Sequence, residues 1–204
     1  MEFFERIKTL LLKPDVAWRD IAAQPDDYGK LFTTQILPFT AFYAVCMFIG
    51  EAIGFGNLFL GRILALLIAV VIMVIGFTFL AAAVINHLSP RFGGRSHFPS
   101  AFKLAAYFPT PSWLAGIFMV VQLPTLGMIV GFYSLYLLWT GLAPLMQVPA
   151  ERTIGFIAAL IGGIIVIPII IGVAMVFGGP IIKGLVIVLI ISGLISLWRT
   201  RPQT

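Results

Sequence analysis

Long apolar runs separated by short polar breaks make up the chain after residue 30. A helix that crosses a membrane needs roughly 20 consecutive apolar residues, because the hydrocarbon core is about 30 Å thick. The runs therefore predict an all-α fold, a polytopic helical membrane protein with five or six transmembrane helices in one bundle. The predicted bundle covers residues 31–198, with spans at about 31–53, 63–88, 101–122, 125–147, 154–177 and 181–198, followed by a basic tail at 199–204.

Residues 1–30 are the only extended polar region and predict a short amphipathic leader. Apolar residues recur at helical spacing over residues 3–11, which suits a helix lying in a membrane interface. Asp15 is predicted to cap a second short helix over residues 16–23. Trp18 in that helix is expected at the level of the lipid headgroups. Two interpretations stay open, a leader that docks and merely precedes the first span, or a leader that binds a specific partner.

The charge distribution predicts which side of the membrane each loop faces. Charged residues are 10% of the chain, against about 25% in soluble domains, so lipid must be its solvent. With six spans and the N-terminus inside, eleven of the thirteen basic residues lie inside, as the positive-inside rule requires. A five-span arrangement leaves nine inside and four outside. A shallow or re-entrant final helix is the main alternative to a sixth crossing.

The predicted third and fourth spans form a hairpin over residues 101–149, and prolines occur inside the predicted spans. Pro109 and Pro111 each remove a backbone hydrogen bond, so a kink or break is expected there. The carbonyls of Ala105 and Tyr107 are freed, and in lipid neighbouring helices, water, Thr110 or Ser112 must supply their hydrogen bonds. The break is either a packing kink or a hinge or ligand-lining element of the kind that transporters use.

Tyr133, Tyr136 and Thr140 share one face of the predicted fourth span. Hydroxyl groups inside a membrane need hydrogen-bond partners, so this face is predicted to point at other helices. Structural packing is one interpretation. The other is a path for a solute, formed by this face together with Pro109 and Pro111.

A group of basic residues is predicted at the inner end of the hairpin. Lys103, one turn from Tyr107, can extend its ammonium group to a lipid phosphate. Together with Arg91 and Arg95 it would form a basic rim, each charge contributing roughly 1 kcal/mol against an anionic leaflet. These four residues are candidates for binding lipid or a partner, although the charges could serve topology alone.

Motifs for chemistry are missing from the sequence. It has no HExxH, GxSxG, Walker A or GxGxxG pattern, and no aspartate after Asp27. Cys46 is the single cysteine, and two histidines without a carboxylate cluster make a poor metal site. We therefore expect no enzyme activity, cofactor, metal or nucleic acid. The expected partners are the lipid bilayer, possible anionic lipids, and a membrane protein or a second copy of the chain.

Several segments resemble one family of membrane proteins. AFKLAAYFPTP at 101–111, YSLYLLWTGL at 133–142 and VP at 148–149 resemble the Yip family, the Ypt-interacting proteins with the Yip-one domain. LLKPDVAWRDIAAQP at 11–25 resembles the leader of prokaryotic members. The resemblance, over about residues 10–175, implies a cytoplasmic N-terminus and a bundle usually counted as five spans. The eukaryotic relatives in this family bind prenylated Rab GTPases in vesicle traffic.

Two departures from that family narrow the expectation. The leader of about 30 residues is far shorter than the cytosolic domains of the eukaryotic relatives, and a sixth apolar segment is added. Both indicate a prokaryotic member in the inner membrane, so Rab binding is not carried over. The function expected is that of a non-enzymatic membrane protein that binds or organises membrane partners or lipids through its cytoplasmic face. The alternative is a small channel or transporter.

Overall fold

The computed structural model describes residues 3–55 and 60–166, and all regular structure within those ranges is helical. Residues 1–161 form one compact unit, and a second unit begins at residue 162. The predicted sixth span, the basic tail and the end of the predicted fifth span lie outside the described residues.

The leader consists of two helices, α1 (Phe3–Leu12) and α2 (Pro14–Ala23). Pro14 occupies the first turn of α2, where its missing N–H costs nothing. Lys13 is the N-cap residue and makes no side-chain cap bond, so the prediction that Asp15 caps the helix is wrong. Asp15 lies inside the first turn, where its charge favours the helix dipole. One face of α2, which includes Trp18, is buried against the bundle.

A nearly continuous helix follows the leader. It begins with α3 (Tyr28–Leu31), passes through a π-helical turn at Phe32–Ile36 and continues as α4 (Leu37–Phe55). Asp27 caps it, because its Oδ1 accepts the backbone N–H of Lys30 at 2.9 Å. The second long helix is α5 (Leu60–Leu88), followed by a 3₁₀ turn at Ser89–Phe92.

The hairpin contains five shorter helices, and a further helix follows it. The first three are α6 (Phe98–Tyr107), α7 (Thr110–Leu114) and α8 (Ile117–Val120). The next two are α9 (Pro124–Gly131) and α10 (Tyr133–Met146). After a 3₁₀ turn at Ala150–Arg152, residues 153–166 form α11.

Three stretches of the described chain are long and apolar enough to cross a membrane: Tyr28–Ile53, Leu67–Phe92 and Pro124–Met146. Large apolar side chains such as Ile72 and Met128 are two-thirds exposed on them, as expected where lipid replaces water. The five or six spans stay a prediction, because the third is broken into short helices and the last two are not fully described.

The break expected at Pro109 and Pro111 is confirmed. Helix α6 ends at Tyr107 and α7 begins at Thr110. The hydroxyl of Thr110, one of the partners predicted for the freed carbonyls, donates to the Tyr107 carbonyl at 2.6 Å. Gln35, which the π-helical turn places beside this break, donates from Nε2 to the Thr110 hydroxyl at 3.1 Å. The Tyr107 carbonyl is therefore satisfied from within its own segment, and the neighbouring helix completes the hydrogen bonding of Thr110.

Gly141 on α10 permits the closest approach between the leader and the bundle. A Cβ atom built at this position would lie 2.6 Å from Leu104 Cδ1 and 2.8 Å from Trp18 Cε2. The leucine methyl can move, but the indole ring is fully buried and rigid. Glycine is therefore required at position 141 for the Trp18 indole to pack against α10.

We expect Gly141→Ala to lower the free energy of unfolding by about 1–3 kcal/mol, the usual effect of overpacking a filled core. The measurement is the thermal unfolding midpoint of the purified protein in mild detergent. Gly76→Ala is the matched control, because a Cβ at Gly76 meets no atom within 4 Å and alanine favours a helix interior. Equal effects of the two substitutions would contradict the tight fit at Gly141.

Candidate functional site

Long-range hydrogen bonds attach the two leader helices to the bundle. Trp18 Nε1 donates to the Thr140 hydroxyl at 3.0 Å, and the Tyr133 hydroxyl donates to the Leu11 carbonyl at 2.7 Å. Arg6 Nη1 donates to the Tyr107 hydroxyl at 3.1 Å. The leader is thus docked on α6 and α10, and a partner-binding role for it stays a prediction.

Trp18 is the centre of this docking. Its side chain is 0% exposed, and its ring stands edge-on to Tyr107 with 6.4 Å between the centroids. Trp18 is therefore covered by protein and not by lipid, and its depth at the headgroup level stays a prediction. The physical reason for the burial is that α10 offers both a recess, at Gly141, and an acceptor for the indole N–H, at Thr140.

Lys103 is buried beneath the segment that joins the leader to the first span. Only 6% of the residue is exposed, and its Nζ donates to the Gln24 carbonyl at 2.5 Å. The same atom lies 2.7 Å from Asp26 Oδ1. Lys103 therefore does not extend to an exposed rim, since a carboxylate and a carbonyl are presented to it from within the chain.

Asp26 is held in its charged form by this arrangement. The hydrogen bond from Lys103 lowers the pKa of Asp26 below its ordinary value of 3.8, against the smaller opposing effect of burial. The charges of Lys103, His97 and Arg95 lower that pKa further. His97 Nε2 lies 3.9 Å from Asp26 Oδ2, so the start of α6 also faces this carboxylate. The leader linker and α6 are thus joined electrostatically as well as by packing.

A cavity of about 350 Å³ lies between the leader, the start of the first span and α6. Lys103 and Tyr107, two of the four candidate binding residues, form part of its wall. The charged and phenolic side chains in the wall are Arg6, Asp20, Asp27, Lys30, Lys103 and Tyr107. Its charges are of both signs, so it is not the uniformly basic rim that the sequence predicted.

Arg91 and Arg95, the other two candidates, are exposed and do not line this cavity. They belong to the loop between α5 and α6. The backbone N–H of Arg95 donates to the Met146 carbonyl at 2.8 Å, which fixes the loop against the end of α10. The structure therefore divides the four candidates into a buried pair in the cavity wall and an exposed pair on the neighbouring loop.

The five candidate path residues are also divided. Pro109 and Pro111 lie at the helix break, while Tyr133 and Thr140 make the leader bonds described above. Tyr136 is about half exposed, and its ring centroid lies 5.3 Å from that of Tyr133. The prediction that this face points at other helices is confirmed for Tyr133 and Thr140, whose hydroxyls meet the leader.

A second cavity, of about 610 Å³, lies beside the broken segment and is bordered mostly by apolar side chains. Tyr43, Ser112 and Ser134 bring hydroxyl groups to its wall, and those of Ser112 and Ser134 hydrogen-bond to each other at 2.8 Å. None of the five candidate path residues lines it. A role for these residues in transport stays a prediction.

Within residues 3–55 and 60–166, no group of three His, Cys, Asp or Glu side chains is placed to hold a metal ion.

Comparison with known proteins identifies the family. A family model described as the Yip1 domain matches residues 8–173. The chain belongs to the Yip1 domain family. This confirms the resemblance of residues 101–111 and 133–142, and with the apolar helices it makes the chain an integral membrane protein. No curated protein matches the chain, and no solved structure does.

The Yip1 domain match begins inside α1, so most of the docked leader belongs to the domain. The sequence analysis missed the role of Asp26. A signal for it was present, because Lys103 is the only charged residue of an otherwise apolar segment and a buried ammonium group needs a counter-ion. The partners of Arg6 and Trp18 lie more than 100 residues away, and periodicity carries no information about them.

We expect Asp26→Asn to loosen the leader in this Yip1 domain protein, because Lys103 then keeps only a carbonyl and a neutral amide. The expected loss is about 1–3 kcal/mol, typical of a charged buried donor that loses its acceptor. Hydrogen exchange of the α2 amides, read by mass spectrometry, measures it. Glu151→Gln, which removes an equally exposed carboxylate outside the leader, is the control. Unchanged exchange in Asp26→Asn would contradict the pairing.

The same pair predicts a pH dependence. A carboxylate whose pKa is lowered on folding stabilises the folded state above the unfolded pKa, and this stability is lost as the pH falls through the folded value. The difference in thermal midpoint between wild type and Asp26→Asn should therefore be constant near neutral pH. It should shrink as the pH falls below 3.8. A difference that persists in strong acid would contradict the charge pairing.

Proposed function

We propose that this Yip1 domain protein is a non-enzymatic membrane protein that binds or organises membrane partners or lipids through the face that carries the leader. We further propose that this face is cytoplasmic and that the membrane is the inner membrane of a prokaryote. The observation that carries the proposal is the docked leader, which hydrogen bonds and an ion pair hold against α10 and α6. Its Asp26 carboxylate faces His97, at the end of the loop after α5.

The exposed charge on this face supports the proposal. The loop that contains Arg91 and Arg95 lies against the end of α10, and Gly93 lies beside the guanidinium group of Arg152. The leader exposes charges of both signs: the cations Lys8, Lys13, Arg19 and Lys30 and the carboxylates of Glu5, Asp15, Asp20, Asp26 and Asp27. The loop and the turn after α10 expose three guanidinium groups, those of Arg91, Arg95 and Arg152, beside the carboxylate of Glu151. The net positive charge of the loop and turn favours anionic headgroups or an acidic segment of a membrane protein.

We expect the double variant Arg91→Gln/Arg95→Gln to bind anionic lipid roughly 10–30-fold more weakly, since each exposed charge contributes about 1 kcal/mol. The measurement is retention of phosphatidylglycerol by the purified protein, titrated and followed by native mass spectrometry. The variant Arg91→Lys/Arg95→Lys, which keeps both charges, should bind nearly as well as wild type. Equal binding by the neutral and charge-conserving variants would contradict the proposed lipid-binding face.

The proposed function also includes binding of a membrane-protein partner. We expect mild solubilisation and pull-down from the native membrane to recover such a partner, with recovery reduced by the neutral Arg91 and Arg95 variant. Absence of both a partner and a bound anionic lipid would overturn the proposal.

A small channel or transporter is the second candidate function. The break between α6 and α7 favours it, because discontinuous helices line the substrate sites of many transporters. Against it, the leader already engages the hydroxyls of Tyr133 and Thr140.

Ion or proton flux into liposomes that contain the purified protein tests this second function. Transport along the proposed path should change on Tyr133→Phe, whereas Tyr28→Phe, at the start of the first span, serves as the control. No flux under several ion gradients and a pH gradient would exclude the channel alternative.

A further inference from the structure

The cavity beneath the leader holds charges of both signs that are not neutralised by one another. Arg6 and Lys30 line it together with Asp20 and Asp27. In the part of the chain that the structure describes, none of these four side chains takes part in an ion pair. Two cations and two carboxylates therefore surround one space with their charges unmatched.

We propose that this cavity binds a zwitterionic phosphoethanolamine group, the headgroup of phosphatidylethanolamine. The site uses neither Arg91 nor Arg95, and the proposal rests on the lipid-binding function proposed above, for which it names one headgroup. A ligand that carries one phosphate and one primary ammonium group matches the cavity, because it offers an opposite charge to each kind of wall.

The phosphate is placed against the cations. The Arg6 guanidinium is oriented by its bond to the Tyr107 hydroxyl, which also lines the cavity. A guanidinium has five donors in a fixed plane, so one bond to a phenol leaves it able to bind phosphate oxygens in pairs. Lys30 adds an exposed ammonium group at the start of the first span. Lys103 adds little net charge, because Asp26 neutralises it.

The ammonium group is placed against the carboxylates. Asp20 lies on α2, and Asp27 caps α3 through only one of its oxygens. Carboxylates accept hydrogen bonds from a primary ammonium group, whereas a quaternary choline has no N–H to donate. The cavity should therefore distinguish ethanolamine from choline, and it should disfavour a headgroup that carries only negative charge.

The location and size of the cavity suit a lipid. Lys30 and Leu31 begin the first apolar span, so the cavity lies at the membrane boundary, where headgroups are found. Buried apolar side chains, those of Ala17, Ile21 and Leu31, also border it and suit the glycerol and first methylene groups. Its volume of about 350 Å³ falls at the lower end of the about 300–1,000 Å³ of small-ligand sites.

Lipid binding to the full-length protein in mild detergent tests the proposal, with native mass spectrometry reading bound lipid. The probes are phosphatidylethanolamine, phosphatidylcholine and phosphatidylglycerol with identical acyl chains. We expect about tenfold preference for phosphatidylethanolamine over phosphatidylcholine, since hydrogen bonds between charged groups are the strong ones. Equal binding of these two lipids by the wild-type protein would overturn the proposal, whatever the variants do.

Two double variants separate the two halves of the site. Asp20→Asn/Asp27→Asn should abolish the preference for ethanolamine over choline while leaving some phosphate binding, and asparagine at 27 still caps α3. Arg6→Gln/Lys30→Gln should weaken both zwitterionic lipids, and Arg6→Lys/Lys30→Arg should restore them. An ethanolamine preference that survives loss of both carboxylates would overturn the assignment.

Two controls identify the source of the ligand and separate this site from the exposed face. Soluble glycerophosphoethanolamine should displace phosphatidylethanolamine if the protein recognises the headgroup alone. If it does not displace the lipid, and the protein still prefers ethanolamine to choline lipids, the ligand is the intact membrane lipid. Arg91→Gln/Arg95→Gln should leave the ethanolamine preference unchanged even if phosphatidylglycerol binding falls. Loss of the preference in that variant would overturn the cavity as the site.

Discussion

The seating of Trp18 in α10 is the contact on which the leader side of this protein depends. A fully buried tryptophan contributes several kcal/mol, about 3–5 kcal/mol when it is cut back to alanine in a core. It needs the recess at Gly141 and the acceptor at Thr140, which are consecutive residues of one helix. Once the indole is seated, α1 and α2 cannot lie freely in the interface. The leader becomes a wall of the bundle, and the cavity beneath it exists because of that wall.

A second constraint comes from lipid, which offers no hydrogen bonds to an open backbone. The chain tolerates two prolines in a segment that should cross the membrane only because the freed Tyr107 carbonyl has a partner in Thr110. Thr110 in turn accepts from Gln35, which stands in a π-helical turn of the first span. The π turn and the proline break therefore occur side by side and satisfy each other. Polar residues here follow from backbone geometry and need no substrate to explain them.

The sequence predicts the parts of this structure that depend on one-dimensional patterns. Apolar run lengths predict the helices, the prolines predict the break, and the segments at 101–111 and 133–142 indicate the family that the Yip1 domain match confirms. The sequence predicts the docking of the leader poorly. The apolar stripe that includes Trp18 shows which face of α2 is apolar, but it does not show whether lipid or α10 covers that face. The residue type of Asp15 predicts a cap, but the helix begins one residue earlier, at Pro14.

The sequence also does not show which basic residues are buried and which are exposed. A count of charges treats Lys103, Arg91 and Arg95 as equal, and for topology they are, since each disfavours crossing the membrane. For binding they differ. Lys103 is buried and neutralised by Asp26, and breaking that pair would strand an ammonium group in a poorly solvated place. Arg91 and Arg95 are exposed, so their charge acts outward and is screened by salt. The field of this face therefore comes from the loop and the leader surface, while the buried lysine fixes the shape of the cavity beside them.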